Sequence, residues 1–546
     1  MPVDASTTIT VPYDTTTDGA LNLPRANQRT RILLIRYTIT TITVPNTSTD
    51  ITTKTVTSTL PDATYYAACD SNNLITTVDG GNIYSLYFNG DTQVIYPAAS
   101  AYDCCVAGLL NPPCGAIFNF GVFGSTCTGV LDGTLLSRHG GRDPTPGKTA
   151  LYAQTIEKIK SNVHVFQGAY AFLTDYNYTL GADQLTAFGE QQMVNSGTDF
   201  FIRYKDLATA SNPFVRASGQ QRVIDSAEKF NQGFHQAKLA AGGSKDAQYP
   251  YDVVTISEEA GSNNTLDHGL CTAFEIDGYK TRHAAQRTFA STFIPAITSR
   301  LNTALPNANI TESETIFLMD LCPFETVASP TGTPSPFCAL FSQPEWEKYD
   351  YCQTIGKYYS FGPGNALGPT QGTGFVNELV ARLTGNPVDD HTSVNQTLDS
   401  SPDTFPLGRT LYADFGHDND MIAAFFALGL YNSTPTLSTS HLMTAEEMKG
   451  FSCAWTVPFA ARAFFEKMQC RGVDEEMVRV LVNGRVVPLE SCGGDQMGRC
   501  TLSRFVESLS FARDGGRWDQ CFIDTQKGGE FVNGETFGDD GGGETS

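Results

Sequence analysis

The chain has no surplus of positive charge: 36 Lys and Arg stand against 58 Asp and Glu over 546 residues, a formal charge of −22. Nucleic-acid binding through a general basic field is thereby disfavoured. None of its 14 cysteines forms a CxxC pair, which removes zinc-ribbon and thioredoxin-like readings. It also lacks an apolar run of about 18 residues. The longest apolar stretch, Met421 to Leu430, is too short to cross a bilayer, so no membrane partner is expected. Charged residues are only 17%, whereas apolar residues reach 40% and aromatics 11%, which excludes wholesale disorder and supports a packed core. The start Met-Pro-Val-Asp-Ala has neither a basic n-region nor an apolar h-region, so no signal peptide is visible there. No internal repeat is apparent.

What is present divides along the chain. Single cores stop growing at about 250–300 residues, so a large domain with appendages is expected. Residues 1–65 are dominated by Thr and Ser with scattered Val and Ile, a composition suited to a disordered or O-glycosylated stalk, with an edge strand as the alternative. Residues 66–130 read as a small Cys-rich module holding Cys69, Cys104, Cys105, Cys114 and Cys127. Residues 134–524 have the texture of an α/β domain, and 525–546 form an acidic, Gly-rich tail. Met193, Gly197, Phe200, Phe201 and Tyr204 fall at helical spacing, as do Phe230, Phe234 and Ala237. VRVLVNGRVVPL predicts two strands joined by Asn483-Gly484. Scattered cysteines without metal-type spacing point to disulfides and an oxidising compartment, as do N-x-S/T sequons at Asn46, Asn177, Asn263, Asn309, Asn395 and Asn432. A secreted protein is expected.

Chemistry concentrates in Leu135-Leu136-Ser137-Arg138-His139-Gly140-Gly141-Arg142-Asp143-Pro144, where a short apolar strand runs into a histidine flanked by arginines. Guanidinium groups neutralise phosphate oxygens in planar, multi-donor geometry, and a neutral imidazole nitrogen is an in-line nucleophile. Nearby arginines disfavour the imidazolium, so His139 can stay nucleophilic in mild acid. Gly140 and Gly141 are expected to let a phosphate approach the backbone. Downstream, LYADFGHDN is a second strand ending in His417-Asp418, followed by an apolar helix. In α/β sheets ligands bind beyond the carboxyl ends of strands, where a helix N-terminus adds donors for an anion. His417 is then placed to bind phosphate and Asp418 to protonate a leaving alkoxide.

With RHGGRDP joined to GHD, the chain resembles the histidine acid phosphatases, and among them the secreted fungal phytases. The likeness continues through PFVRASGQQRVI, NNTLDHGLCTAFE, GNALGPTQGTGFVNELVARLT and AWTVPFAARAFFE, covering about 134–523. It implies a histidine-phosphatase-like α/β sandwich with a mainly helical insertion at about 180–320. It implies His139 as nucleophile, Asp418 as proton donor, and Arg138, Arg142, Arg216 and His417 as phosphate ligands, with neither metal nor cofactor. Arg222 is read instead as a structural ion-pair residue. Lys148 and Lys357 fall where the family places substrate-facing lysines, but Ala150-Leu151 stands where a Lys-Lys pair is common. The implied activity is metal-free hydrolysis of phytate and other phosphomonoesters by a monomer, through a phosphohistidine. A chain at −22 repels a polyanion at long range, so binding relies on a local basic funnel and on neutralisation of carboxylates in acid, and an acidic optimum is expected. The family pattern also implies the disulfides Cys271–Cys521, Cys322–Cys338 and Cys492–Cys500. Cys470 would pair with Cys127, one residue out of register, leaving Cys352 and Cys453 as free thiols.

The chain departs from the family upstream, where Asp132-Gly133 is expected to weaken the strand entering the RHG loop. The foreign N-terminal segment reads as a domain fusion or as a gene model joining two neighbours. Asp143 places a negative charge near the phosphate site. Two rival readings stand beside phytate hydrolysis: a broad acid phosphatase, which the missing lysines favour, and a non-catalytic extracellular glycoprotein, against which the full set of catalytic residue types speaks. A mutase reading is weaker, because mutases lack the His-Asp proton donor.

Overall fold

In a computed structural model the described residues are 37–42, 54–59, 77–78, 81–82, 127–242, 248–495 and 497–522. The chain divides into two units, Met1–Gly121 and Val122–Ser546. In the first, β1 (Tyr37–Ile42) pairs antiparallel with β2 (Lys54–Thr59), and β3 (Thr77–Val78) with β4 (Gly81–Asn82). The runs YTITTI and KTVTST are rich in β-branched residues, which are stiff at χ1 and suit a pleated strand, so part of the expected stalk is paired strand. Asn46, Cys69, Cys104, Cys105, Cys114 and the tail from 525 lie outside the described residues.

The second unit is built on an eight-stranded mixed sheet. Its parallel half comprises β5 (Cys127–Arg138), β8 (Leu411–Gly416), β6 (Phe214–Ser218) and β7 (Val253–Ile256), adjacent in that order. On the other side of β5 lie β9 (Arg462–Cys470), β10 (Met477–Val482) and β11 (Arg485–Val487), all antiparallel neighbours, with β12 (Arg499–Thr501) also on β10. Asn483 and Gly484 take φ of 49° and 80° and close the β10–β11 hairpin as their residue types predict.

Strand alternation sorts side chains onto two faces. Leu135, Leu411, Phe415, Phe464 and Leu481 pack on α2 (Ala187–Arg203) and α3 (Gln221–Ala240). α1 (Pro146–Asn162) precedes these helices in the chain. Leu136, Phe465, Val480 and Val482 face the larger core, where α1 packs with α4 (Thr272–Ala290), α5 (Ile294–Ala304), α6 (Glu312–Ala328), α7 (Gln343–Phe361), α8 (Thr373–Thr384) and α9 (Asp418–Ala427). Capping boxes at Thr311/Glu314 and Ser342/Glu345 start α6 and α7. The stretch expected as a helical insertion at 180–320 is interrupted: β6 and β7 lie inside it and belong to the main sheet. The long run of helices without sheet strands extends from α4 through α8.

The expectation that Asp132-Gly133 breaks the strand is corrected. β5 runs through both residues to Arg138, with bulges between Cys127 and Gly129 and between Val130 and Asp132. Gly133 is required there, since a Cβ would fall 2.8 Å from the Tyr204 ring. Asp132 is compensated by Lys467 at 2.8 Å. The bulge at Cys127 also absorbs the one-residue offset, and Cys127 bonds Cys470. The other disulfides among the described residues are Cys271–Cys521, Cys322–Cys338 and Cys492–Cys500, while Cys352 and Cys453 are free. Among the described residues no helix is long and apolar enough to cross a membrane.

Candidate active site

The site exists because β5 and β8 are adjacent and parallel, with Arg138 directly opposite Gly416. Both strands therefore deliver their next residues, His139 and His417, to the same edge. Their rings lie 5.6 Å apart, edge to face. The loop is held by His139 N–H donating to Gly416 O at 3.2 Å and Ala460 N–H donating to His139 O at 2.9 Å. His417 caps α9, which points its N-terminus and Asp418 into the same space.

Gly140 has a packing role besides the one expected. A Cβ on Gly140 would fall 2.4 Å from Gly189 O, and one on Gly189 would fall 1.9 Å from Gly141 O. Gly140 and Gly189 let the loop lie directly on the start of α2, where Gly141 N–H donates to Gln192 Oε1 at 2.9 Å.

His139 is buried, and its Nδ1 lies 2.8 Å from Gly140 O. A carbonyl can only accept, so Nδ1 carries the proton and Nε2 keeps a lone pair. Burial, then Arg138, Arg222, Arg142 and His417, lower this imidazole well below its ordinary value, so it stays neutral in acid. Arg138 donates to Val457 O at 2.6 Å and lies 4.4 Å from the Phe459 ring centre. Arg142 is 1% exposed and donates Nη1–H to Asp143 O at 2.8 Å, with no carboxylate ion pair among the described residues. Arg222, the second residue of α3, meets only Asp183 at 3.2 Å. Burial and then Arg142 lower Arg222 to about 10. The Nε atoms of Arg142 and Arg222 and the Nζ of Lys148 are buried without a hydrogen-bond partner among the described residues. Lys148 Nζ sits 4.9 Å from the Phe317 ring centre.

Asp418 is bound by Lys357 at 2.6 Å and by Arg138 at 3.5 Å. Burial would raise its carboxyl, but Arg138 and Lys357 outweigh this and hold it far below the carboxylate range. His417 Nε2 meets Glu258 Oε1 at 3.0 Å. Burial would raise Glu258 too, but the hydrogen bonds from His417, Ser218 and the Gln220 N–H keep it lowered. Asp143 is raised, first by burial.

One expected ligand is misplaced. Arg216 lies within β6 rather than beyond its end, 1% exposed, with its guanidinium on Asp414 at 2.9 Å and Glu378 at 2.5 Å. Among the charges acting on His139 the third guanidinium is that of Arg222, expected as a structural ion-pair residue, and not that of Arg216. The signal was topological, because Arg222 follows the strand end at Ser218, where α/β sheets place ligands, and Arg216 precedes it. Glu258 and Phe459 carried no motif and were missed.

A buried neutral histidine ringed by guanidinium groups, at the end of a mixed α/β sheet, is the site of a protein that handles phosphate. Residues 134–483 match the model of the histidine phosphatase superfamily, branch 2, and the chain belongs to that family. It is 53% identical over 390 residues to Phytase A of Aspergillus fumigatus, covering 71% of this chain and 83% of that one. It is 54% identical over 391 residues to Phytase A of Aspergillus oryzae, covering 71% and 84%. The crystal structure of the phytase from D. castellii superposes with a TM-score of 0.60 at 23% identity, over 74% of this chain and 84% of that one. The multiple inositol polyphosphate phosphatase of Bifidobacterium longum, solved with inositol hexasulfate, superposes at 0.52 with 16% identity, over 72% and 94%. These two likenesses show the fold.

Proposed function

We propose that the chain is a secreted phytase, an acid phosphomonoesterase that removes phosphate from myo-inositol hexakisphosphate through a phosphohistidine. The carrying observation is that Arg138, Arg142 and Arg222 are buried beside a neutral His139 and act on its ring, and that the Nε donors of Arg142 and Arg222 have no hydrogen-bond partner among the described residues. Buried donors without acceptors are costly, and a phosphate dianion supplies acceptors. Relatives named Phytase A support phytate as substrate.

Nε2 of His139 attacks phosphorus in line while Arg138, Arg142, Arg222 and His417 hold the equatorial oxygens. The ester P–O bond breaks and the alkoxide takes a proton from Asp418. In the free site Asp418 is a carboxylate. An arriving phosphate draws Arg138 into its own hydrogen bonds and loosens that hold. A phosphomonoester has a second pKa of about 6, so below it the substrate itself brings the proton that Asp418 passes on. Water then cleaves the phosphohistidine, with Asp418 as base. This coupling gives an acidic optimum: His139 is neutral far into acid, and the rate falls on the alkaline side as the substrate proton is lost.

Lys148 and Lys357 serve the additional phosphates of a polyphosphorylated substrate, Lys357 also anchoring Asp418. Secretion is supported by the four disulfides and by exposed sequons at Asn177, Asn309 and Asn432. Asn263 and Asn395 hold one another's loops through backbone contacts and are poorer acceptors of a glycan. A monomer is the expected state.

The test is phosphate release from phytate and from p-nitrophenyl phosphate at pH 3–8 without added metal, with trapping of phosphohistidine by an alkaline denaturing quench. Phytate outcompeting p-nitrophenyl phosphate, with a trapped intermediate absent in His139→Ala, supports the reading. Equal use of both substrates would leave the broad acid phosphatase, the reading that Ala150-Leu151 favours.

A further inference from the structure

We propose that Asp267, His268 and Asp420 form a binding site for a divalent transition-metal cation of the zinc type, separate from the phosphate site. Asp267 and His268 belong to the loop between β7 and α4, and Asp420 to the first turn of α9. One ligand atom from each lies within 4.8 Å of the others. A nitrogen and two carboxylate oxygens suit zinc, cobalt or manganese.

The surroundings are those of a built site. His268 Nδ1 lies 2.7 Å from Glu275 Oε1. A carboxylate that takes the Nδ1–H of a histidine fixes its tautomer and leaves Nε2 for a metal. The Phe274 and Phe361 rings pack against the imidazole, 5.5 and 5.1 Å between centres. Asp420 Oδ2 is closed to solvent and has no hydrogen-bond partner among the described residues. Two carboxylates thus face a single imidazole in the cluster.

A divalent cation would bond one ring nitrogen of His268 and one oxygen of each aspartate. It would tie the 267–268 loop to the helix start that carries His417 and Asp418, so the site is a brace between the two.

Cobalt(II) is the probe, titrated into the chelator-stripped full chain at pH 7.5 and followed by d–d absorption and calorimetry. One equivalent should bind. Asp420→Asn and His268→Gln should abolish the band, Glu275→Gln should weaken binding about 10–100-fold, and His139→Ala should bind as the parent does. Zinc should raise the melting temperature of the parent at pH 7.5 and leave Asp420→Asn unmoved. Absence of stoichiometric binding, unchanged affinity in Asp420→Asn or His268→Gln, or loss of binding in His139→Ala would each overturn the proposal. If Asp420→Asn does not fold, His268→Gln decides.

Discussion

Two groups of buried arginines stand close together in this molecule and are built on opposite principles. Arg216 and Arg382 grip Asp414 from both sides, at 2.9 and 2.6 Å, and Arg216 also binds Glu378. Two cations thus meet two carboxylates, so the charge of the cluster is balanced without a ligand, although Arg382 Nε has no hydrogen-bond partner among the described residues. Arg138 pairs with Asp418 and Arg222 with a half-exposed Asp183, Arg142 has no carboxylate partner among the described residues, and neither do the Nε donors of Arg142 and Arg222 have an acceptor there. The first group stabilises the sheet; the second stores an unmet demand for anion. Residue type is identical in the two, so counter-charge is what separates a structural arginine from a binding one.

The comparison can be broken by substitution. His139→Ala removes the centre that the second group surrounds, and kcat on phytate should fall by about 1,000-fold or more with unchanged thermal stability. Arg222→Ala should cost about 100–1,000-fold in kcat/KM, as for loss of one preorganised donor, again with little change in melting. Arg216→Met should do the reverse: stability in denaturant falls by about 3–5 kcal/mol because Glu378 and Asp414 lose a partner, while the folded fraction keeps its kcat. Loss of catalysis at full stability in Arg216→Met would dissolve the distinction and restore Arg216 to the site.

Acid titration sharpens it. Burial would raise Asp414, but Arg216 and Arg382 outweigh this and hold it at about 2, against an ordinary 3.8. A depressed folded pKa contributes stability that is full above the unfolded value and is lost as pH falls through the folded one. The balanced cluster therefore stays intact from neutrality to about pH 4 and weakens toward pH 2. Denaturant melts of the parent and Asp414→Asn should differ at pH 5 and converge near pH 2. The smallest effect belongs to Lys148→Met: removing a buried ammonium with no partner should stabilise the free protein by about 1 kcal/mol. It should also raise KM for phytate several-fold and leave p-nitrophenyl phosphate nearly untouched. Lower stability in this variant would mean that Lys148 is a structural cation.

Much of this was readable from residue order. The RHGGRDP and GHD strings, the Asn483-Gly484 hairpin and the helical spacing of α2 and α3 are local patterns, and local patterns survive without coordinates. Arg222 was not readable by the same means, since VRASGQQR offers two arginines six residues apart and only the end of β6 between them decides which faces the ligand. Gly133 read as a defect and Gly140 as a phosphate cradle because the groups that require them, Tyr204 and Gly189, are distant in sequence. The Asp267, His268 and Asp420 cluster was invisible for the same reason, its members being separated by α4 through α8.

The sequence by itself determined the chemistry available: a histidine among arginines, a His-Asp pair at a second strand end, and cysteines enough for the disulfides. Only the tertiary structure decided which arginines lack a counter-charge, which glycines lie under another backbone, and which carboxylates share a pocket. Electrostatic fate depends on distance and burial, and both are set by the pairing of β5 with β8 and β6, strands separated by up to some 270 residues of chain.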